Sequence, residues 1–522
     1  MRPFGASAQN RCPGRDSHGG RVAHPGHAGD LSRPGPSGRL MESRPAAAVA
    51  VVAVLVLAGC TAGYSQTPTA PATAEPPDES GTHLGYYDGY WHNETFDVDA
   101  SDGLTDAQLE AVVSRAMARV QVLRGLRFRE DVEVELVTRA TFRQEYGGIT
   151  APNESGPART LENAQFEAML LVGPGEDVVE IRRANRGDNV LGFYRPNSGD
   201  LVLVSEAVPA TLDDEYTLAH ELVHALQDQR FGLGSDSART LDGRNARNGL
   251  VEGDALVVQQ AYRERCGSGA WDCVGGDGAS QPPGVGEDFH YGVYYAGFAP
   301  YAEGPSFVRY HRERGGWGAV DAMYDRPPEA SAELIHPPTY DGGRYGSATL
   351  SDRSDPDWER VTVPNGTAHA SVGEAGLASM FAYTLRDRHR PDRAVIDREA
   401  FFNREDGRLD PRRPFTYDLA AAEGWYADRL HAYAGDGGTA YVWNVTFVDR
   451  TNATEFRDGY GRLLSYWGAD RRSVDGGAVW TFAGSSQFEG AIWVRRDGAS
   501  LTVVKAPSAA DLDDVYAPAP AA

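Results

Sequence analysis

The chain has 522 residues, with 74 acidic against 50 basic side chains and a formal charge of −24. That length can bury two or three cores, and the charge leaves no basic stripe to neutralise phosphates, which excludes nucleic acid as a partner. Lys505 is the only lysine, every other cation being arginine. Such a surface suits a salt-loving organism, where counter-ions screen self-repulsion within about 3 Å at 1 M salt.

In chain order, residues 1–40 are rich in Gly, Pro, His and Arg without a hydrophobic period, and they read as an over-extended start outside the mature protein. Residues 41–60 read as a signal peptide: Met41-Glu42-Ser43-Arg44 precedes an apolar run from Ala46 to Gly59. The run is shorter than the roughly 20 residues a bilayer span requires. It ends in Leu57-Ala58-Gly59-Cys60, which resembles a lipobox, so Cys60 is expected to carry a lipid that holds the mature chain on the outer face of the membrane. A signal anchor with an incidental cysteine is the other reading. Residues 61–82 are a Thr, Pro, Ala and Glu spacer. Asn-X-Ser/Thr triplets begin at Asn93, Asn153, Asn365, Asn444 and Asn452.

A helix is predicted over about 105–123, with Leu109, Val112, Val113, Ala116 and Val120 on one stripe. Val132 to Val137 alternates as a strand, and residues 191–194 and 201–204 flank Pro196-Asn197-Ser198-Gly199 as a hairpin. Long helices are expected near 212–229 and 245–264, the first capped by Thr211 to Asp214. Cys266 and Cys273 fall in a Gly-rich loop, where a local disulfide is the natural reading outside the cell and a two-thiolate metal site the lesser one. A Gly, Ser and Asp-rich stretch at 341–357 marks a boundary. Beyond it a helix near 371–386 leads to a terminal α+β block over 360–515. Its strands fall near 440–448, 478–483, 490–495 and 500–505, with a helix that Asn452 can cap.

The chemistry lies in His220-Glu221-Leu222-Val223-His224. Histidines four apart on a helix project from one face, close enough to share a tetrahedral zinc. Glu221, one position along, lies beside such a metal without ligating it and can take a proton from an attacking water. The next helix carries Glu252 against an apolar stripe of Val251, Ala255, Val258 and Tyr262. A half-buried carboxylate there needs a positive partner, either zinc or an arginine such as Arg247. Asp254 and Asp228 can each be read as acceptors for a ligand imidazole or as surface carboxylates.

From these residues the chain resembles the gluzincin metallopeptidases, whose third ligand is a glutamate on the following helix. It is also similar to uncharacterised exported bacterial and haloarchaeal surface proteins through Leu218 to Gln229, Val251 to Ala255, Pro300-Tyr301, Gly315-Gly316-Trp317, Glu333 to Pro337, Gly424-Trp425 and Trp443. The resemblance implies a zincin-like α+β catalytic domain over 83–345, with zinc on His220, His224 and Glu252 and Glu221 as general base. It also implies a peptide or protein substrate bound by strand addition, and an oxyanion stabiliser. For that stabiliser His336 is the first choice, Tyr301, Tyr294, Tyr295 and Tyr340 being alternatives and a structural histidine the competing reading. Leu256 stands where many gluzincins carry an aspartate one turn after the glutamate. The alternative function is a non-catalytic surface lipoprotein that keeps a structural zinc, although such a zinc has no use for Glu221.

Overall fold

The computed structural model describes residues 83–95, 103–146, 156–187, 190–212, 214–233, 239–275, 289–343, 345–364, 366–387, 393–410, 412–482, 484 and 486–517. The expected signal peptide, Cys60, the spacer, Asn153 and Asn365 lie outside them.

Thr105 opens helix α1 (Asp106–Arg124): its hydroxyl accepts from the Gln108 amide while the Gln108 side chain accepts from the Thr105 amide. This reciprocal cap satisfies two amides that the first turn leaves free. Val112, Ala116 and Val120 on its stripe are fully buried. So are Arg115 and Arg119, whose guanidinium groups reach Glu215 at 3.1 and 3.3 Å. Strand β1 (Val134–Thr138) and helices α2 (Gly156–Ala168) and α3 (Val178–Gly187) follow. The hairpin forms as predicted from β2 (Gly192–Arg195) and β3 (Asp200–Ser205). Because β3 pairs in parallel with β1 and antiparallel with β2, β1 and β2 are the two edges of this sheet.

Helix α4 (Glu215–Phe231) starts three residues later than Thr211 to Asp214 suggested. Its cap is Asp214, which accepts from the Thr217 amide at 2.7 Å. The Thr211 amide is instead turned back to the Ser205 hydroxyl. Helix α5 (Leu241–Gly267) ends in a short loop closed by the Cys266–Cys273 disulfide, with Cα atoms 5.8 Å apart. Helix α6 (Tyr291–Asp325) contains Pro300 and breaks at Gly316, where φ is 68°. A proline cannot donate to the carbonyl four residues back. Here that carbonyl, on Ala296, accepts from the Asn245 side chain at 2.9 Å.

Helices α5 and α6 cross at backbone contact. A Cβ on Gly253 would sit 2.3 Å from the Gly304 carbonyl oxygen, and one on Gly304 would sit 2.3 Å from that of Gly249. Only glycine allows this approach, and it sets α6 directly over the α5 turn that bears Glu252.

Helix α7 (Ser331–Ile335) and the almost wholly buried α8 (Gly373–Tyr383) lead into the terminal block. Its strands are β4 (Glu359–Arg360), β5 (Trp425–Gly435), β6 (Gly438–Phe447), β7 (Ala469–Val474), β8 (Gly477–Phe482), β9 (Ala491–Asp497) and β10 (Ser500–Ala506). They pair antiparallel in the order β7-β8-β9-β10-β6-β5-β4. Helix α9 (Arg450–Tyr466) lays Phe456, Tyr460 and Leu463 on the sheet. Asp449, not Asn452, is its cap, accepting from the Thr451 and Asn452 amides at 2.7 and 3.0 Å.

The fold is mixed α+β. One buried cluster runs from Phe166 and Tyr295 through Phe381 to Trp443 and Trp467. This cluster draws on both blocks, 83–345 and 360–515, and each also holds buried clusters of its own. Lys505 on β10 adds a polar tie: only 4% exposed, it meets Glu167 of α2 at 2.7 Å.

Candidate metal centre

Because His220 and His224 are one turn apart on α4, their rings meet edge to face with centroids 4.7 Å apart. Their Nε2 atoms approach to 3.1 Å. Glu252 arrives from α5, its Oε2 3.4 Å from His220 Nε2 and 3.5 Å from His224 Nε2. A tetrahedral zinc with bonds near 2.1 Å separates its ligand atoms by about 3.4 Å. The three distances of 3.1, 3.4 and 3.5 Å match that edge. Glu252 Oε2 is buried and has no hydrogen-bond partner among the described residues, as suits an oxygen that binds a cation. The donor set of two imidazoles and one carboxylate is zinc chemistry that leaves a fourth position open.

The surroundings hold this set in place. His224 Nδ1 lies 2.8 Å from Gln227 Oε1, and the Gln227 amide nitrogen donates to the Val251 carbonyl at 2.9 Å. Fixed by Val251, the amide presents its oxygen to His224, so a neutral ring keeps its proton on Nδ1 and leaves the Nε2 lone pair for an ion. Gln227 was given no role from sequence; its place three residues after His224, on the same helix face, was the available signal. The Tyr301 hydroxyl donates to Glu252 Oε1 at 2.8 Å across the α5–α6 crossing.

In the metal-free protein burial disfavours a charged His224, but Glu252 and Glu221 outweigh it and push the ring up to about 9. Glu252 is held well below the usual carboxylate range: its burial acts the other way but is overcome by His224 and His220. Burial pushes Glu221 upward, opposed by the two imidazoles and by the Tyr194 amide of β2.

These residues open on a cleft of about 490 Å³ whose walls include β2 residues Gly192 to Tyr194 and α6 residues Tyr294, Phe298 and Tyr301. His336 does not line this cleft: its Nε2 meets the buried Glu374 at 2.9 Å, and with Asp418 the two form a second grouping of possible metal ligands. It is therefore corrected from oxyanion stabiliser to partner of Glu374, a residue 38 positions on that the Ile335-His336-Pro337 turn could not announce. Tyr295 is buried and Tyr340 donates to the Arg326 carbonyl. Tyr294 and Tyr301 remain on the cleft wall. Asp254 serves no imidazole: fully buried, it pairs with Arg124 at 2.8 Å and accepts from Tyr324. Asp228 accepts from the Tyr194 hydroxyl at 2.9 Å.

Residues 359–516 match the model of a family described as a domain of unknown function (DUF8575). That stretch covers the terminal sheet and does not include His220, His224 or Glu252. No curated protein and no solved structure matches the chain.

Proposed function

We propose that the chain is a zinc-dependent peptidase in which His220, His224 and Glu252 hold the ion and Glu221 is the general base. The observation that carries this reading is the spacing of the three ligand atoms, 3.1 to 3.5 Å, inside a cleft that Glu221 also lines. When bound, zinc supplies Lewis acidity, acidifying water and polarising a carbonyl. Glu221, buried and pushed toward its neutral form, is suited to accept a proton from the attacking water and return it to the leaving amine. Tyr301, on the cleft wall, donates to Glu252 Oε1 and so braces that carboxylate. Of the two edge strands of its sheet, β2 borders the cleft, so an extended peptide can add to it by main-chain hydrogen bonds. On the reading of residues 41–60 as a lipoprotein signal, the enzyme works outside the cell, tethered through Cys60.

The test is zinc content of the purified full chain, with peptide hydrolysis by wild type and Glu221→Gln. We expect one zinc per chain in both proteins and turnover only in the wild type, reduced by at least about a hundredfold on substitution. Bound zinc without turnover on a broad peptide library would leave a structural zinc, and no zinc would overturn the reading.

A further inference from the structure

Strand β2 (Gly192–Arg195) passes beside Glu221, yet its own sheet does little to hold it there. All four of its residues are partly exposed, and it is bonded to β3 on one side only. The Val204 amide donates to the Leu191 carbonyl at 2.8 Å, which turns the main chain of Leu191 toward β3. Alternation along an antiparallel pair then turns the main-chain groups of Gly192 and Tyr194 outward, to the cleft side. Two contacts join that side to the proposed base. The Tyr194 amide donates to the Glu221 carboxylate. A Cβ on Gly192 would sit 3.1 Å from Glu221 Cγ, so the strand runs in contact with the stem of the base.

A third contact closes the arrangement. The Tyr194 hydroxyl donates to Asp228 Oδ2 at 2.9 Å. Asp228 Oδ1 accepts from the Leu233 amide at 2.7 Å, just past the end of α4, so the carboxylate is fixed from both sides. Glu221, His224 and Asp228 follow one another at steps of three and four and so share one face of α4. The helix that carries the base and two ligands therefore also carries the acceptor that ties β2 down. Tyr194 touches both ends of this loop, Glu221 through its amide and Asp228 through its hydroxyl.

We propose that Tyr194 and Asp228 are positioning residues: their bond clasps β2 to α4, holds the Tyr194 amide against Glu221 and so aims that carboxylate. The inference rests on the zinc-peptidase reading, to which it adds a pair that is neither ligand nor base. A hydroxyl–carboxylate bond that served only to finish α4 would leave turnover alone, and the two roles are separable by measurement.

The experiment uses the full zinc-loaded chain and the variants Tyr194→Phe, Asp228→Ala and the two combined. Tyr194→Phe removes one hydroxyl and keeps the ring and the amide. Hydrogen exchange, read by mass spectrometry on a peptide spanning 190–196, should quicken at least about tenfold in each variant while the terminal block keeps its rates. On a fluorogenic peptide that the wild type cleaves, kcat should fall about tenfold while KM moves by less than about twofold and zinc affinity holds. The combined variant should be no slower than the worse single one, because both changes break the same bond. Asp228→Asn keeps an oxygen for the Leu233 amide and offers its NH2 group to the Tyr194 oxygen, so it should recover most of the loss. Unchanged exchange over 190–196, unchanged kcat, additive losses, or zinc affinity falling in step with kcat would each overturn the proposal. A wild type that binds zinc and cleaves nothing would sink the peptidase reading alone. In that case quickened exchange over 190–196 in the variants upholds the clasp, and unchanged exchange overturns it.

Discussion

At the scale of single residues, the proposed metal centre depends on a side chain outside the ligand set. Gln227 sits between the Val251 carbonyl and His224 Nδ1, so it decides which nitrogen of the ring keeps its proton. Gln227→Leu should keep the helix, since leucine is an equally good helix former, yet lower zinc affinity by about 10- to 100-fold. Competition with a chromophoric chelator measures this, and an unchanged affinity would mean the ring is oriented by packing alone. That His220 and His224 would stand side by side was legible because their spacing encodes a helix face. Glu252 was legible because a carboxylate beside an apolar stripe demands a cation. His336 misled because its counterpart Glu374 comes from a different helix, and no local pattern ties residues that meet only after folding.

At the scale of elements, the α5–α6 crossing brings Tyr301 to Glu252. A glycine-to-alanine change in an ordinary exposed helix position stabilises by about 1 kcal/mol. Gly253→Ala should have the opposite sign, because its Cβ would fall 2.3 Å from a carbonyl oxygen of the facing helix. We expect a loss of about 1–3 kcal/mol, read as a lower midpoint in denaturant, together with weaker zinc binding as Glu252 is displaced. A stabilised Gly253→Ala protein would show that the helices can separate at little cost. Periodicity predicted α1, α4, α5 and the β2–β3 hairpin because each buries one face of a regular pattern. It missed β5 and β7. The first carries Asp428, Arg429 and His431 in mid-strand, with Asp428 and His431 buried; the second, Ala469 to Val474, is a mostly exposed edge with two arginines and no apolar alternation. Both are strands because of their neighbours in the sheet, which sequence alone does not place.

For the whole molecule, the cluster that joins the two blocks predicts that they unfold together, read as coincident transitions by calorimetry and fluorescence. Its pH dependence is set partly by carboxyls that burial has raised, among them Asp242, pushed up to about 7 by burial and by Asp428 and Glu333, against the opposing Ser331 hydrogen bonds. In the unfolded chain such a group titrates near about 3.9. Between those values the folded form holds the extra proton, so this contribution is complete below about 4 and is lost as pH rises through about 7. Thermal melts from pH 4 to 8 should therefore fall less steeply over that window in Asp242→Asn than in wild type. Parallel profiles would mean Asp242 is ionised throughout.

The burial of Lys505 carries a consequence for how the protein meets reagents and other enzymes. As the only lysine of the chain, and 4% exposed against Glu167, it leaves the folded surface without an accessible ε-amine. Lysine-directed acylating labels, cross-linkers and conjugation therefore find no ε-amine to attack while the fold holds. Reaction at position 505 would then report unfolding, a native chemical reporter that needs no engineered tag.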